Sequence, residues 1–123
     1  MPTDLQDRSD VEALVRGFYE VVRQDSLLAP VFDAAIGDDW NAHFPVLFDF
    51  WDQILFGARV YNGQPMEVHQ ALHRQYPLTQ AHFDRWLAIW EANLDRRFEG
   101  PIAETARSRA RSIRQLMAFK VLG

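Results

Sequence analysis

The 123-residue chain contains no cysteine, so it holds no disulfide, no thiolate metal ligand and no cysteine nucleophile. Lysine is nearly absent as well: Lys120 is the only one among 13 basic residues, and the rest are arginine. Seventeen acidic side chains leave a net charge of −4. That balance excludes a general nucleic-acid binder, which needs a basic surface for phosphates. It also excludes an electrostatic membrane anchor. No apolar run approaches the ~18 residues of a membrane span, and the polar opening Met1–Asp7 has no signal-peptide pattern. A soluble, cytoplasmic protein is expected. There are no repeats, no glycine-rich phosphate loop and no Gly-x-Ser-x-Gly elbow. Asp25-Ser26, Asp38-Asp39 and Asp95 with Glu99 show no carboxylate spacing suited to hydrolysis.

What the chain does have is apolar and aromatic: 48% of residues are hydrophobic and 13% aromatic. That suffices for one folded domain over residues 1–123, with about residues 1–8 as an N-terminal extension. Apolar residues recur at helical spacing almost everywhere and strand-like alternation is nearly missing, so the fold class is all-α. Ser9-Asp10-Val11-Glu12 reads as a capping box. The helix it opens carries Val11, Leu14, Val15, Phe18 and Val22 on one face, with Tyr19 at its edge, and ends at Asp25-Ser26. Pro30-Val31-Phe32 reads as a brief helical turn, and Gly37-Asp38-Asp39 as a loop with an N-cap. The next helix carries Trp40, His43, Phe44, Leu47, Phe50, Trp51, Ile54 and Leu55, with Gly57 closing it. Pro45 inside it predicts a kink or a later start, because it cannot donate to the carbonyl of Asn41.

After the turn Tyr61-Asn62-Gly63, Pro65 suits the first position of a short helix reaching about Arg74. Thr79 caps a long helix with Phe83, Trp86, Leu87, Trp90 and Leu94 on its apolar face. Gly100-Pro101 starts the last helix, whose buried stripe is Ile102, Ala106, Ala110, Ile113 and Met117. Four long helices with one short, loop-flanked helix between the second and third do not make an up-down bundle. Such a weak middle segment suits a fold that pins a cofactor there.

Four helices each bring one polar group to an apolar face: Tyr19, His43, His69 and Trp86. A dry core would have to satisfy each of them. On its own, His69 reads as an ordinary surface or core histidine. With His73 four residues on, it has the spacing to clamp a metal ion on one helix. No third ligand is placed to complete that site, so one inward and one surface histidine is the preferred reading. His82 and the row Arg107, Arg111 and Arg114 read as solvated.

Several motifs recur in a fixed order. They are Phe18-Tyr19, Phe32 thirteen residues after the tyrosine, Trp40-Asn41-Ala42-His43, and Phe50-Trp51. Tyr61-Asn62-Gly63-Gln64-Pro65 leading to His69, and His82-Phe83-Asp84-Arg85-Trp86-Leu87, complete the series. Together they resemble the truncated haemoglobins, or two-over-two globins, of the group III class, over about Val11 to Met117. The paired glycines typical of group I are missing. The resemblance implies a globin-like, two-over-two helical sandwich with a short proximal helix, holding haem b. By the same resemblance, His69 is the proximal iron ligand, and Tyr19, His43, Leu47 and Trp86 form the distal pocket. Phe32 packs on the haem face. Arg59 and Arg74, with Tyr61 and Tyr76, are candidates to meet the haem propionates, although plain surface roles fit them equally.

A neutral imidazole is a good iron ligand, and one axial histidine leaves the sixth position open. Phenol and indole donors beside that position would hold a ligand with partial negative charge by ~1 kcal/mol each. The implied function is reversible binding of oxygen or another small diatomic ligand, as in oxygen transport. Two alternatives remain. One is a haem enzyme acting on peroxide or nitric oxide in the same pocket, served by a reductase. The other is a cofactor-free helical interaction module. Thiolate-driven oxygen activation is excluded.

Overall fold

A computed structural model describes residues 2–37, 39–57 and 77–122. Among these are five helices: α1 (Arg8–Val22), α2 (Ala29–Ile36), α3 (Trp40–Phe56), α4 (Gln80–Arg97) and α5 (Pro101–Leu122). Helix α1 packs on α3 and α4, while α5 packs on α4 and α3. The pairs α1/α3 and α4/α5 therefore lie one over the other, which is the expected all-α, two-over-two sandwich. The expected short helix after Pro65 lies outside the described residues. No described helix is long and apolar enough to cross a membrane.

The apolar stripes explain the packing. Val11, Leu14, Val15, Phe18 and Val22 of α1 are buried against Trp51 and Leu55 of α3 and against Trp90 and Leu94 of α4. Ala103, Ala106 and Ala110 of α5 are buried in the same core. Small side chains at this spacing let α5 approach α4 closely. A second, smaller cluster joins Val31, Leu78, Phe83, Met117 and Ala118.

Several local expectations are corrected. Asp7, not Ser9, caps α1: Asp10 donates its N–H to the Asp7 side chain at 3.2 Å, and Ser9 lies inside the helix. Gln6 in turn donates to the Asp10 carboxylate at 2.8 Å, so Asp10 reaches back past the cap to the residue before it. Helix α1 stops at Val22, before Asp25. Pro30 opens two turns of helix and not one, since Ala29–Ile36 is eight residues long. Helix α3 begins at Trp40 despite Pro45, so no later start occurs. Gly57 closes it in the left-handed conformation, with φ 74°, as the helix end requires.

The segment before α1 is held by the last helix. Asp4 accepts from the N–H groups of Ile102 (2.9 Å) and Ala103 (2.8 Å), capping α5 from 98 and 99 residues away. Gly100 makes room for it, with φ 144° and a hypothetical Cβ only 2.6 Å from Asp4. The arginines of α5 are not a solvated row. Arg107 pairs with Glu91, Asp95 and Glu104; Arg111 pairs with Glu91; Arg114 bonds Asp84 and Gln80. Apart from Arg107–Glu104, which lies within α5, these contacts bridge α4 to α5. Helical spacing shows which face a residue shares but not what lies opposite it.

His82 is likewise more than a solvated side chain. Its Nδ1 accepts the Thr79 N–H at 3.0 Å, completing a capping box at the start of α4. Burial lowers its pKa, which favours the neutral ring that can accept. The stability this adds is present above the ordinary histidine pKa near 6.5 and is lost as pH falls through the folded value. His82→Gln keeps an acceptor without titrating. Its urea midpoint should fall less than that of the wild type between about pH 7 and pH 5; an equal fall would show that His82 adds nothing to the slope.

Candidate functional site

Neighbouring residues on α1 divide the aromatic core between them. Tyr19, 7% exposed, touches Phe32 of α2 (ring centroids 5.5 Å), Trp40 (5.2 Å) and Phe44 (6.2 Å) of α3. Phe18 stands edge-on to Tyr19 (4.7 Å) and reaches Trp86 (5.8 Å) and Trp90 (5.1 Å) of α4. Most of these are edge-to-face contacts, the arrangement ring quadrupoles favour. Phe32, Phe44, Leu47 and Trp86 remain partly exposed on the margin of this core.

One polar atom in this wall is buried without a partner. Trp40 is 4% exposed, and its Nε1 is fully buried with no hydrogen-bond partner. Among the described residues, neither the Tyr19 hydroxyl nor the Trp86 indole N–H bonds to anything. Burial pushes the Tyr19 phenol well above the usual phenol range, so it stays protonated and able to donate. His43 lies half-buried, edge-on to Trp40 at 6.3 Å. Burial lowers its pKa against the opposing pull of Asp39, which favours the neutral ring near pH 7. It lines a cleft of about 180 Å³ with Ala35, Ile36, Asp39 and Ala42.

The structure therefore brings Tyr19, Phe32, His43, Leu47 and Trp86 to one aromatic core, joined through Phe18 and Trp40. His69, His73, Arg59, Arg74, Tyr61 and Tyr76 lie outside the described residues.

Several contributors escape a reading of the sequence. Trp40 is legible as core but not as an unpaired donor. Arg23 lies over the Trp40 ring at 4.9 Å, and Arg16 over Phe44 (4.9 Å) and Phe48 (5.1 Å), covering the aromatic column of α3 on its outer side. Asn93, fully buried, donates to the Leu14 carbonyl at 2.9 Å and ties α4 to α1. Asp25 is the least expected. It accepts from the N–H groups of Leu27 (3.1 Å) and Leu28 (3.0 Å) and from Arg85 Nε (2.7 Å). This anchors the start of α2 to the residue immediately before Trp86. Burial alone would raise the Asp25 pKa, but the Arg85 contact and the two backbone donors outweigh it and hold the carboxyl below its ordinary value.

Two helix pairs packed around this aromatic wall have the architecture of a globin domain. The chain belongs to the bacterial-like globin family, whose model matches residues 5–119, and within that family to the group III truncated haemoglobins. It is 36% identical over 92 residues to the group 3 truncated haemoglobin of Campylobacter jejuni, covering 72% of this chain and 70% of that protein. The crystal structure of the group III truncated haemoglobin from Campylobacter jejuni matches with a TM-score of 0.88 at 30% identity, over 98% of this chain and 95% of that one. The group 1 truncated haemoglobin of Nostoc commune is 37% identical over 75 residues, 60% of this chain and 58% of that protein.

Removing Arg85 leaves the buried Asp25 carboxylate with its two backbone donors but no counter-charge. Arg85→Ala should lower stability by about 1 kcal/mol, measured by urea unfolding at neutral pH. The Asp25 contribution is full above the ordinary aspartate pKa and is lost as pH falls through the folded value. The gap between variant and wild type should therefore close in acid. A gap that is constant down to about pH 2 would contradict the assignment.

Proposed function

We propose that this globin domain holds haem b, with His69 as the proximal iron ligand, and reversibly binds oxygen or another small diatomic ligand. The ligand sits beside Tyr19, His43, Leu47 and Trp86. Phe32 packs on the haem plane, and Arg59 and Arg74, with Tyr61 and Tyr76, meet the propionates. When bound, haem supplies an iron with one open coordination position.

The observation that carries this reading is a buried donor without an acceptor in an aromatic wall. Trp40 Nε1 is buried and orphaned, and the ring of Tyr19 lies against it with a hydroxyl that bonds no other described residue. A buried donor left unpaired costs about 1–3 kcal/mol, so a cofactor-free module gains nothing from such a wall. A flat apolar group carrying a polar diatomic ligand fits it. The partly exposed rims of Phe32, Phe44 and Leu47 offer it apolar cover, and the donors supply hydrogen bonds.

Each residue then has a task. Tyr19 is held protonated by burial and donates to the ligand; Trp86 supplies a second N–H from the facing helix. Neutral His43 stands at the cleft as a smaller polar group. Leu47 keeps the ligand position dry, which strengthens every hydrogen bond made there. Redox turnover on oxygen or nitric oxide would also need electrons from a reductase.

Absorption spectroscopy after haem addition tests the cofactor. A sharp Soret band is expected in the wild type and in His73→Ala, and it should be lost in His69→Ala. An unaltered band in His69→Ala would remove His69 as the ligand. On the distal side, Tyr19→Phe should speed oxygen dissociation on the order of fivefold, the equivalent of one hydrogen bond of about 1 kcal/mol. Because the phenol stays protonated, the wild-type rate should be flat from about pH 7 to pH 9. Stopped-flow rates that match between variant and wild type, or a rise over that range, would count against Tyr19 as the donor.

A further inference from the structure

Three of the four tryptophans form one nearly parallel stack. Trp51 of α3 and Trp90 of α4 lie face to face, with ring centroids 4.3 Å apart and planes 19° from parallel. Trp86 continues the series, 6.2 Å from Trp90 with planes 8° apart. The series runs from the partly exposed Trp86 inward to the buried Trp90 and Trp51. Phe18 stands edge-on to both Trp86 and Trp90 and holds their spacing. Trp90 donates its Nε1–H to the Ala106 carbonyl at 3.3 Å.

We infer that the Trp86–Trp90–Trp51 stack is a one-electron donor to the pocket, which lets the domain reduce peroxides with a tryptophan radical as the second oxidised centre. The inference rests on the haem reading above. Overlapping π faces share a missing electron, so a stacked indole pair is oxidised more readily than a lone ring. Losing an electron makes the indole N–H acidic and the ring positive. A backbone carbonyl does not take that proton, but it accepts a stronger, charge-assisted hydrogen bond from it. Trp90 on Ala106 therefore supports the oxidised ring without losing its proton.

Tyr19 is the competing donor and is poorly built for the task. Oxidation of a phenol expels its proton, and the Tyr19 hydroxyl has no acceptor among the described residues. Its burial opposes ionisation as well.

The electrons balance for hydrogen peroxide. Its O–O bond breaks, and both oxygens reach the oxidation level of water by taking two electrons and two protons. The tryptophan stack would supply one of these electrons and haem iron, where bound, the other, with the protons taken from solvent. Two one-electron transfers from a reductase would then restore the stack and the iron.

The test is freeze-quenched electron paramagnetic resonance of the haem-loaded protein after mixing with hydrogen peroxide. One sample carries ring-deuterated tryptophan and another ring-deuterated tyrosine. The expected result is an organic radical whose hyperfine pattern narrows with the tryptophan label alone, and whose tryptophan signal is lost in Trp51→Phe and Trp90→Phe. The wild-type labelling stands even if a buried variant fails to fold. A signal that follows the tyrosine label, or peroxide consumption with no protein radical, overturns the inference while leaving haem binding intact. A missing Soret band defeats the haem reading, and this inference falls with it.

Discussion

Phe18 and Tyr19 are consecutive on α1, and their rings meet nearly at right angles (interplanar 81°, centroids 4.7 Å). Consecutive helical residues point about 100° apart, so one turn of one helix serves two faces. Phe18 faces the tryptophans of α4, and Tyr19 faces Phe32 of α2 and Trp40 and Phe44 of α3. Both pairs of the sandwich are thus braced on the same two side chains. Glycine at position 17 allows the close approach on the other flank, where a Cβ would lie 2.6 Å from the Arg97 guanidinium. Arg97 in turn bonds Asn93, which bonds the Leu14 carbonyl, so the same turn is pinned to α4 by a polar link.

That arrangement explains why the wall tolerates unmatched polar atoms. The ring contacts around Tyr19 are edge-to-face or tilted, and aromatic pairs of this kind contribute about 0.5–1.5 kcal/mol each beyond area burial. Four such contacts position Tyr19, which is enough to offset the desolvation of one hydroxyl. Trp40 has ring neighbours in Tyr19, Phe32, His43 and Phe44, with Arg23 above. The donors are therefore held in place by their rings, with their N–H and O–H groups left over for something else. Asp25 and Arg85 complete the frame by fixing where Trp86 enters.

The sequence discloses periodic features well and long-range polar ones poorly. The apolar stripes of α1, α3, α4 and α5 follow from helical spacing, and Gly57, Thr79 and Gly100-Pro101 mark element ends by their own backbone chemistry. The aromatic wall was legible too, because Tyr19, Phe32, His43 and Trp86 keep the order and intervals of the truncated haemoglobins. The Asp4 cap on α5, the Asp25–Arg85 pair and the Arg107, Arg111 and Arg114 bridges were not. Each joins residues far apart in the chain, and nothing local in an aspartate or arginine names its partner. The capping box misread at Ser9 has a simpler cause: Asp7 is an equally good cap two residues earlier, and local pattern alone does not rank them. The role of Trp40 depends on the absence of a partner, which only three dimensions reveal. His69 and the arginines and tyrosines beside it remain inferred from the resemblance to relatives.

The central claim is that the Tyr19 hydroxyl and the Trp86 indole N–H of this wall meet a diatomic ligand. The infrared stretching frequency of carbon monoxide on the reduced, haem-loaded protein tests it most directly, because donors that touch the ligand lower that frequency. The account predicts a low frequency in the wild type that rises in Tyr19→Phe and in Trp86→Phe. A frequency that is the same in all three proteins would contradict it.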